Sequence, residues 1–194
     1  LTSLDRVNLE TPLERAAEDP TMRLIQEHGI QHEQQYLASL QADGKSVIDV
    51  SKRGSGLDDQ VTATREALAA GPDVVYQAAL RDGVFAGYAD FLERVEIPSD
   101  LGSFSYEVVD TKLSKSPKAQ YLVQLAFYSS ILAKWQGRPP EIMHVVLGDG
   151  TRQSYRVADY IRYYEALRDR FLAAQQRGTG ATYPQPCAKC SQCA

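Results

Sequence analysis

The chain has 194 residues, 43% of them hydrophobic and 24% charged, and a formal net charge of −4. That is the size and balance of one globular domain with a sizeable core, and the acidic balance argues against a general nucleic-acid-coating protein, which would be basic. No run approaches the ~18 apolar residues of a membrane span and no signal peptide opens the chain, so a cytoplasmic location is expected.

In chain order, Thr11-Pro12-Leu13-Glu14 has the form of a capping box, with Thr11 as N-cap and Glu14 reaching back. A longer helix is predicted over residues 20–41, with Ile25, Gly29, His32, Tyr36 and Leu40 as its buried stripe and a stop at Asp43-Gly44. Residues 47–50 read as a short strand, 52–57 as a glycine-bearing loop, and 58–70 as a helix ended by Gly71-Pro72. Residues 73–80 and 84–95 form a strand pair across Arg81-Asp82-Gly83. Strict alternation would put Ala86, Tyr88, Asp90 and Leu92 on one face of the second strand. A third strand, 106–112, completes an antiparallel set.

From Ser116-Pro117 to about Lys134 the sequence is apolar nearly all round, the pattern of a buried helix, yet Gln120, Gln124 and Tyr128 make a polar row along it. Residues 141–147 and 153–157 flank Gly148-Asp149-Gly150 as a hairpin, and 159–176 form a last helix capped by Gly178. The order helix, three strands, helix, further strands gives a mixed α/β domain whose core sheet is flanked by helices.

Chemistry concentrates on four residues from three elements. Asp110 and Lys112 alternate onto one face at the end of the third strand, Val108 sharing that face and Val109 and Thr111 the other. Taken alone, the pair would be an edge-strand ion pair worth little. Asp90 is an acid in an apolar-leaning strand interior, and His32 lies on a helix stripe where an apolar residue is expected. Two carboxylates and an imidazole suit a divalent metal, with a lysine to hold water or to stabilise the charge that develops on a phosphate.

Gly29-Ile30-Gln31-His32-Glu33, Gly87-Tyr88-Ala89-Asp90, Val109-Asp110-Thr111-Lys112 and Gln124-Leu125-Ala126-Phe127-Tyr128 resemble, in order, the motifs of the RecB-like PD-(D/E)XK nucleases. The likeness runs from about Met22 to Tyr128. It looks closest to members with a C-terminal cysteine cluster, and it is similar to the CRISPR-associated RecB-like exonucleases. The resemblance implies a restriction-endonuclease-like core over residues 1–182 with a cysteine-rich tail at 183–194. It implies that His32, Asp90, Asp110 and the Thr111 carbonyl bind Mg²⁺ or Mn²⁺, that Lys112 orients water, that Gln124 positions Lys112 or the phosphate, and that Tyr128 supports the site. Glu33 and His28 are set lower, Glu33 as a solvated or outlying residue.

Cys187, Cys190 and Cys193 are the chain's three cysteines, and their spacing points to a metal rather than to disulfides. Zinc takes four ligands and iron–sulfur clusters commonly four cysteines, so one is missing. Related nucleases clamp a [4Fe–4S] cluster with one cysteine ahead of the first helix and three near the C-terminus. The chain begins at Leu1 without Met and stops inside this cluster, so a piece of a longer protein is expected, with a helicase or second nuclease domain fused or associated.

Lys115 and Lys118, and Arg162, Arg168 and Arg170 beside Tyr160, Tyr163 and Tyr164, are the basic and aromatic mixture that holds single strands. The expected function is metal-dependent hydrolysis of DNA, single-stranded or at ends, with RNA as a second possible substrate, in repair, recombination or defence. The competing expectation is a non-catalytic nucleic-acid-binding module of a larger helicase or repair protein. The acid pair with its lysine favours catalysis, because a binding module gains nothing from carboxylates facing phosphates.

Overall fold

The computed structural model describes residues 20–177. Its elements are α1 (Pro20–Ala42), β1 (Val47–Asp49), α2 (Leu57–Ala70), β2 (Val74–Asp82), β3 (Phe85–Val95), β4 (Ser105–Thr111), α3 (Ala119–Trp135), β5 (Ile142–Val146), β6 (Arg152–Arg156), a 3₁₀ turn (Val157–Asp159) and α4 (Ile161–Arg177). The capping box at Thr11, the Gly178 cap and the tail bearing Cys187, Cys190 and Cys193 lie outside the described residues.

The six strands form one sheet in chain order, β1-β2-β3-β4-β5-β6. β2, β3 and β4 are antiparallel, as the sequence predicts, and β5 and β6 form the predicted hairpin. The β1–β2 and β4–β5 pairs are parallel and bridged by α2 and α3, so the sheet is mixed. An α/β fold with a mixed central sheet flanked by helices is therefore what the chain adopts, consistent with a restriction-endonuclease-like core.

Alternating strand residues build two cores. On one face Val75, Ala78, Leu80, Leu92, Tyr106, Val108, Met143 and Val145 pack beneath Ala67 and Leu68 of α2 and Leu125, Ile131 and Leu132 of α3. On the other, Tyr76, Phe91, Val109 and Val146 pack beneath Tyr36, Leu37 and Leu40 of α1. The expected buried stripe of α1 is correct only in its second half. Ile25 is exposed, as are Met22, Leu24 and Ile30, because a helix of 23 residues is about 35 Å long and reaches past the sheet. Among the described residues no helix is long and apolar enough to cross a membrane.

β4 is buried from end to end, including Glu107, Asp110 and Thr111. A central strand with two buried acids raises the question of what satisfies them.

The expected alternation in β3 breaks at Asp90. Ala89 and Leu92, three residues apart, share one core, as do Val75 and Ala78 of β2. The cause is Gln77, which takes a left-handed φ of 53° in the middle of β2. Tyr76 pairs with Phe91 and Ala78 with Ala89, and the rung between them, Gln77 with Asp90, is absent from the ladder. Both strands change phase together there, so Leu92 faces the core beneath α2 and α3 while Tyr88 stays 43% exposed.

Candidate active site

The same rung fails a second time, between β3 and β4. Their pairing runs from Val95 with Ser105 to Phe91 with Val109 and stops. In that register the next pair would be Asp90 with Asp110, two carboxylates face to face, an arrangement that repulsion disfavours. Asp90 instead turns its Oδ2 onto the Thr111 backbone N–H at 2.8 Å and the Thr111 hydroxyl at 2.9 Å. The sheet thus opens at one rung, and Gln77, Asp90 and Asp110 line the opening.

The two acids of β4 have opposite environments. Glu107 accepts from the Ile142 N–H at 3.0 Å and lies 3.1 Å from His144 Nε2, while His144 Nδ1 is 2.9 Å from the Ser154 hydroxyl. It is a fully partnered structural acid. The Asp110 side chain is 1% exposed, and neither of its oxygens has a hydrogen-bond partner apart from the Lys112 ammonium, 2.5 Å from Oδ2. Burial, reinforced by the charge of Asp90, pushes the Asp110 carboxyl up to about 7 against the pull of Lys112. Burial acts to lower the Lys112 ammonium, but Asp110 and Asp90 outweigh it and hold it above the ordinary lysine value.

From the face of α3, Gln124 Nε2 donates to the Tyr128 hydroxyl at 3.2 Å. Burial raises the Tyr128 phenol, and the charges of Asp110 and Asp90 add to the rise, which places the ring in the field of the acid pair. Gly87 makes room for it: a Cβ there would stand 2.9 Å from the ring and 3.0 Å from its oxygen. The glycine and aspartate of Gly87-Tyr88-Ala89-Asp90 thus serve one site, the first by admitting Tyr128 and the second by its carboxylate.

From the other face comes α1. His32 Nε2 sits 3.4 Å from the Val146 carbonyl, which also accepts from the Lys112 N–H at 2.9 Å. His32 therefore borders the backbone of Lys112 and lines a cleft of about 440 Å³ with Gln35, Tyr36, Ser39, Val146 and the Gly148–Gly150 turn. Glu33 is the α1 residue whose charge acts on Asp90 and Lys112, and Gln77 donates to it at 2.5 Å. Burial raises its carboxyl, the Tyr76 and Gln77 hydrogen bonds oppose this, and Asp90 adds to the rise. The sequence reading gives His32 a ligand role and sets Glu33 as a solvated or outlying residue; Glu33 is half-buried and hydrogen-bonded to Gln77. The spacing from Gly29 could have found Glu33, since i+3 and i+4 positions share a helix face.

Among the described residues no group of three or more His, Cys, Asp or Glu side chains could hold a metal ion. Asp90 and Asp110 are brought together; His32 is not brought to them. A larger groove of about 860 Å³ between α3 and α4 is lined by none of these residues. The basic and aromatic mixture on α4 is also mostly engaged: Arg162 pairs with Glu165, Arg168 with Asp169, and Tyr164 is buried against Phe127.

No family model matches the chain, and no curated protein matches it in sequence.

Proposed function

We propose that the chain is a divalent-metal-dependent nuclease of RecB-like PD-(D/E)XK type, cytoplasmic and acting on DNA strands or ends in repair, recombination or defence. The observation that carries this reading is Asp110. A buried carboxylate whose Oδ1 has no partner and whose Oδ2 has only the Lys112 ammonium costs stability, and a strand that fully partners Glu107 three residues away has no folding reason to leave it so.

The donor set fits Mg²⁺ or Mn²⁺, with Asp90 and Asp110 as carboxylate ligands and the Thr111 carbonyl beside them. Mg²⁺ is commonly held by one or two carboxylates with the rest of its shell supplied by water and substrate phosphate, so the lack of a three-residue cluster is compatible with it. Such a cation, when bound, supplies charge neutralisation at the phosphate and a more acidic water. Asp90 is oriented by Thr111, whose N–H and hydroxyl both donate to its Oδ2. Lys112, once Asp110 is otherwise engaged, has an ammonium to turn towards a phosphate oxygen or the attacking water. Gln124 and Tyr128, bonded to each other, limit where that ammonium can go. His32 is assigned no ligand role without movement of its ring from the Val146 carbonyl. Cys187, Cys190 and Cys193 remain the proposed [4Fe–4S] ligands.

The test is Mn²⁺-dependent degradation of end-labelled single- and double-stranded DNA, beside Asp110→Ala and Lys112→Ala. Loss of cleavage in both variants is the expected result. Cleavage unchanged in them, or binding without cleavage by the parent, would overturn the assignment.

A further inference from the structure

Glu107, His144 and Ser154 stand on three neighbouring strands, β4, β5 and β6, and share the face of the sheet on which α1 packs. Val109 of that face lies two residues from Glu107 and pairs with His144, which pairs in turn with Ser154. Burial falls along the row: the Glu107 side chain is 8% exposed and that of His144 11%, while Ser154 is on the surface. Asp110, the residue after Val109, alternates onto the opposite face, so the row is separate from the acid pair.

The hydrogen bonds of the row have one direction. An ionised carboxylate only accepts. With Glu107 Oε1 taking the Ile142 N–H, the 3.1 Å contact to Oε2 puts the imidazole proton on His144 Nε2. The neutral ring then has its lone pair on Nδ1, and the Ser154 hydroxyl, 2.9 Å away, donates to it. A hydroxyl proton aimed at an imidazole that a buried acid holds in one tautomer is the arrangement that turns serine into a nucleophile. Satisfying Glu107 requires only Nε2, and an exposed hydroxyl has water for a partner, so folding alone does not explain the third member.

The backbone adds a donor. The Leu147 N–H bonds the Thr151 carbonyl at 2.9 Å and the Val157 N–H bonds the Glu141 carbonyl at 3.0 Å. Bonded and unbonded pairs alternate along an antiparallel ladder, so His144 with Ser154 is an unbonded pair and the Ser154 N–H points away from β5. β6 ends the sheet, and among the described residues no strand follows to take that N–H. It lies on the nucleophile's own residue, where an oxyanion formed by attack of Oγ would need it.

We propose that Ser154, His144 and Glu107 form a second catalytic centre, one that hydrolyses small carboxylic esters. Ser154 Oγ bonds to the ester carbonyl carbon as its proton passes to His144 Nδ1, and the Ser154 N–H faces the oxyanion. The tetrahedral species collapses, the ester C–O bond breaks and the leaving alkoxide takes the proton from Nδ1. Water repeats the sequence on the acyl-serine, releasing the acid and restoring the hydroxyl. Glu107 is a positioning residue that holds the ring. Arg152 and Arg156, two residues to either side on the same face and engaged with Glu93 and Asp159, bound the space over Ser154 and restrict it to short acyl groups.

The experiment uses the full chain in chelating buffer, so that a cation contributes nothing, with p-nitrophenyl acetate as substrate and a fluorophosphonate as covalent probe. The probe is expected on Ser154 in the peptide map, and Ser154→Ala, a change at an exposed position, should lower hydrolysis by about 100-fold or more. Glu107→Gln should lower kcat by a similar factor while KM stays within about twofold. In Ser154→Cys, iodoacetamide should alkylate that thiol at least about tenfold faster than when His144→Ala is added, a reading of the base that needs no turnover. Hydrolysis by Ser154→Ala within about twofold of the parent, or no probe on Ser154, would overturn the centre whatever the outcome for DNA cleavage.

Discussion

Replacing Asp110 by Asn should stabilise the metal-free protein at neutral and alkaline pH, although it removes an ion pair. Raised from 3.8 to about 7, the carboxyl keeps its proton in the folded state through a window in which the unfolded chain has already lost it. The folded state therefore binds more protons, and stability falls as pH rises from about 4 to about 7 and stays lower above. Each pKa unit corresponds to about 1.4 kcal/mol, so the ceiling on this loss is about 4 kcal/mol. Asn has the shape of the neutral acid and no such window. Against the gain stands Lys112, which loses its partner, but that side chain is 22% exposed and retains the field of Asp90. A net gain of about 1–3 kcal/mol at pH near 8 is expected, shrinking to nothing below about pH 4, where both proteins carry a neutral side chain.

Urea unfolding across that pH range in a chelating buffer reads the difference directly, with the slope m checked for constancy. Adding Mg²⁺ should then raise the stability of the parent by RT ln(1 + [Mg²⁺]/Kd) and leave the Asn variant where it was, closing the gap. An Asn variant less stable than the parent at pH 8 without metal would refute the claim that Asp110 is an unsatisfied burden, and with it the main support for a cation site.

Gly87→Ala should cost about 1–3 kcal/mol in stability by driving a methyl into the Tyr128 ring, and should depress cleavage more than Gly56→Ala, where an added Cβ meets nothing within 4 Å; melts and rates measured in parallel would show it. His144→Ala removes one of the two partners of the buried Glu107 and should cost about 1–3 kcal/mol, with the folded protein still binding metal. Equal loss of metal binding would show that the two acids of β4 are not independent. Gln77→Gly removes a left-handed non-glycine worth about 1 kcal/mol of strain and one hydrogen bond to Glu33 of similar size, so stability should change little, whereas Gln77→Val should lose about 2 kcal/mol or more.

The elements were largely legible because their signals are local. The apolar helix that became α3, the glycine-bearing turns and the β-branched run of β4 each declare themselves within a few residues. Asp90, Asp110 and Lys112 were legible as misfits for the same reason, since each breaks its own strand's pattern. The rung that joins them was not. A left-handed glutamine carries no mark in the sequence, and the phase change it imposes on β2 passes to β3 only through pairing, so alternation along β3 put Leu92 with Tyr88. Distance in sequence also hid the contrast between Glu107 and Asp110, because the partner that satisfies Glu107 lies 37 residues away on β5. The place of Glu33 on α1 was hidden for another reason. Successive helical residues are about 100° apart, so a face broad enough to hold Gly29, His32, Tyr36 and Leu40 also holds Glu33. Telling the two apart requires knowing which edge of that face meets the opened rung. Gln77 decides this, since its side chain, turned out of the ladder by the left-handed backbone, is what reaches Glu33. The irregular residue of β2 and the acid of α1 are therefore one device, and a substitution that restores regular pairing at Gln77 should disturb Glu33 as surely as a substitution of Glu33 itself.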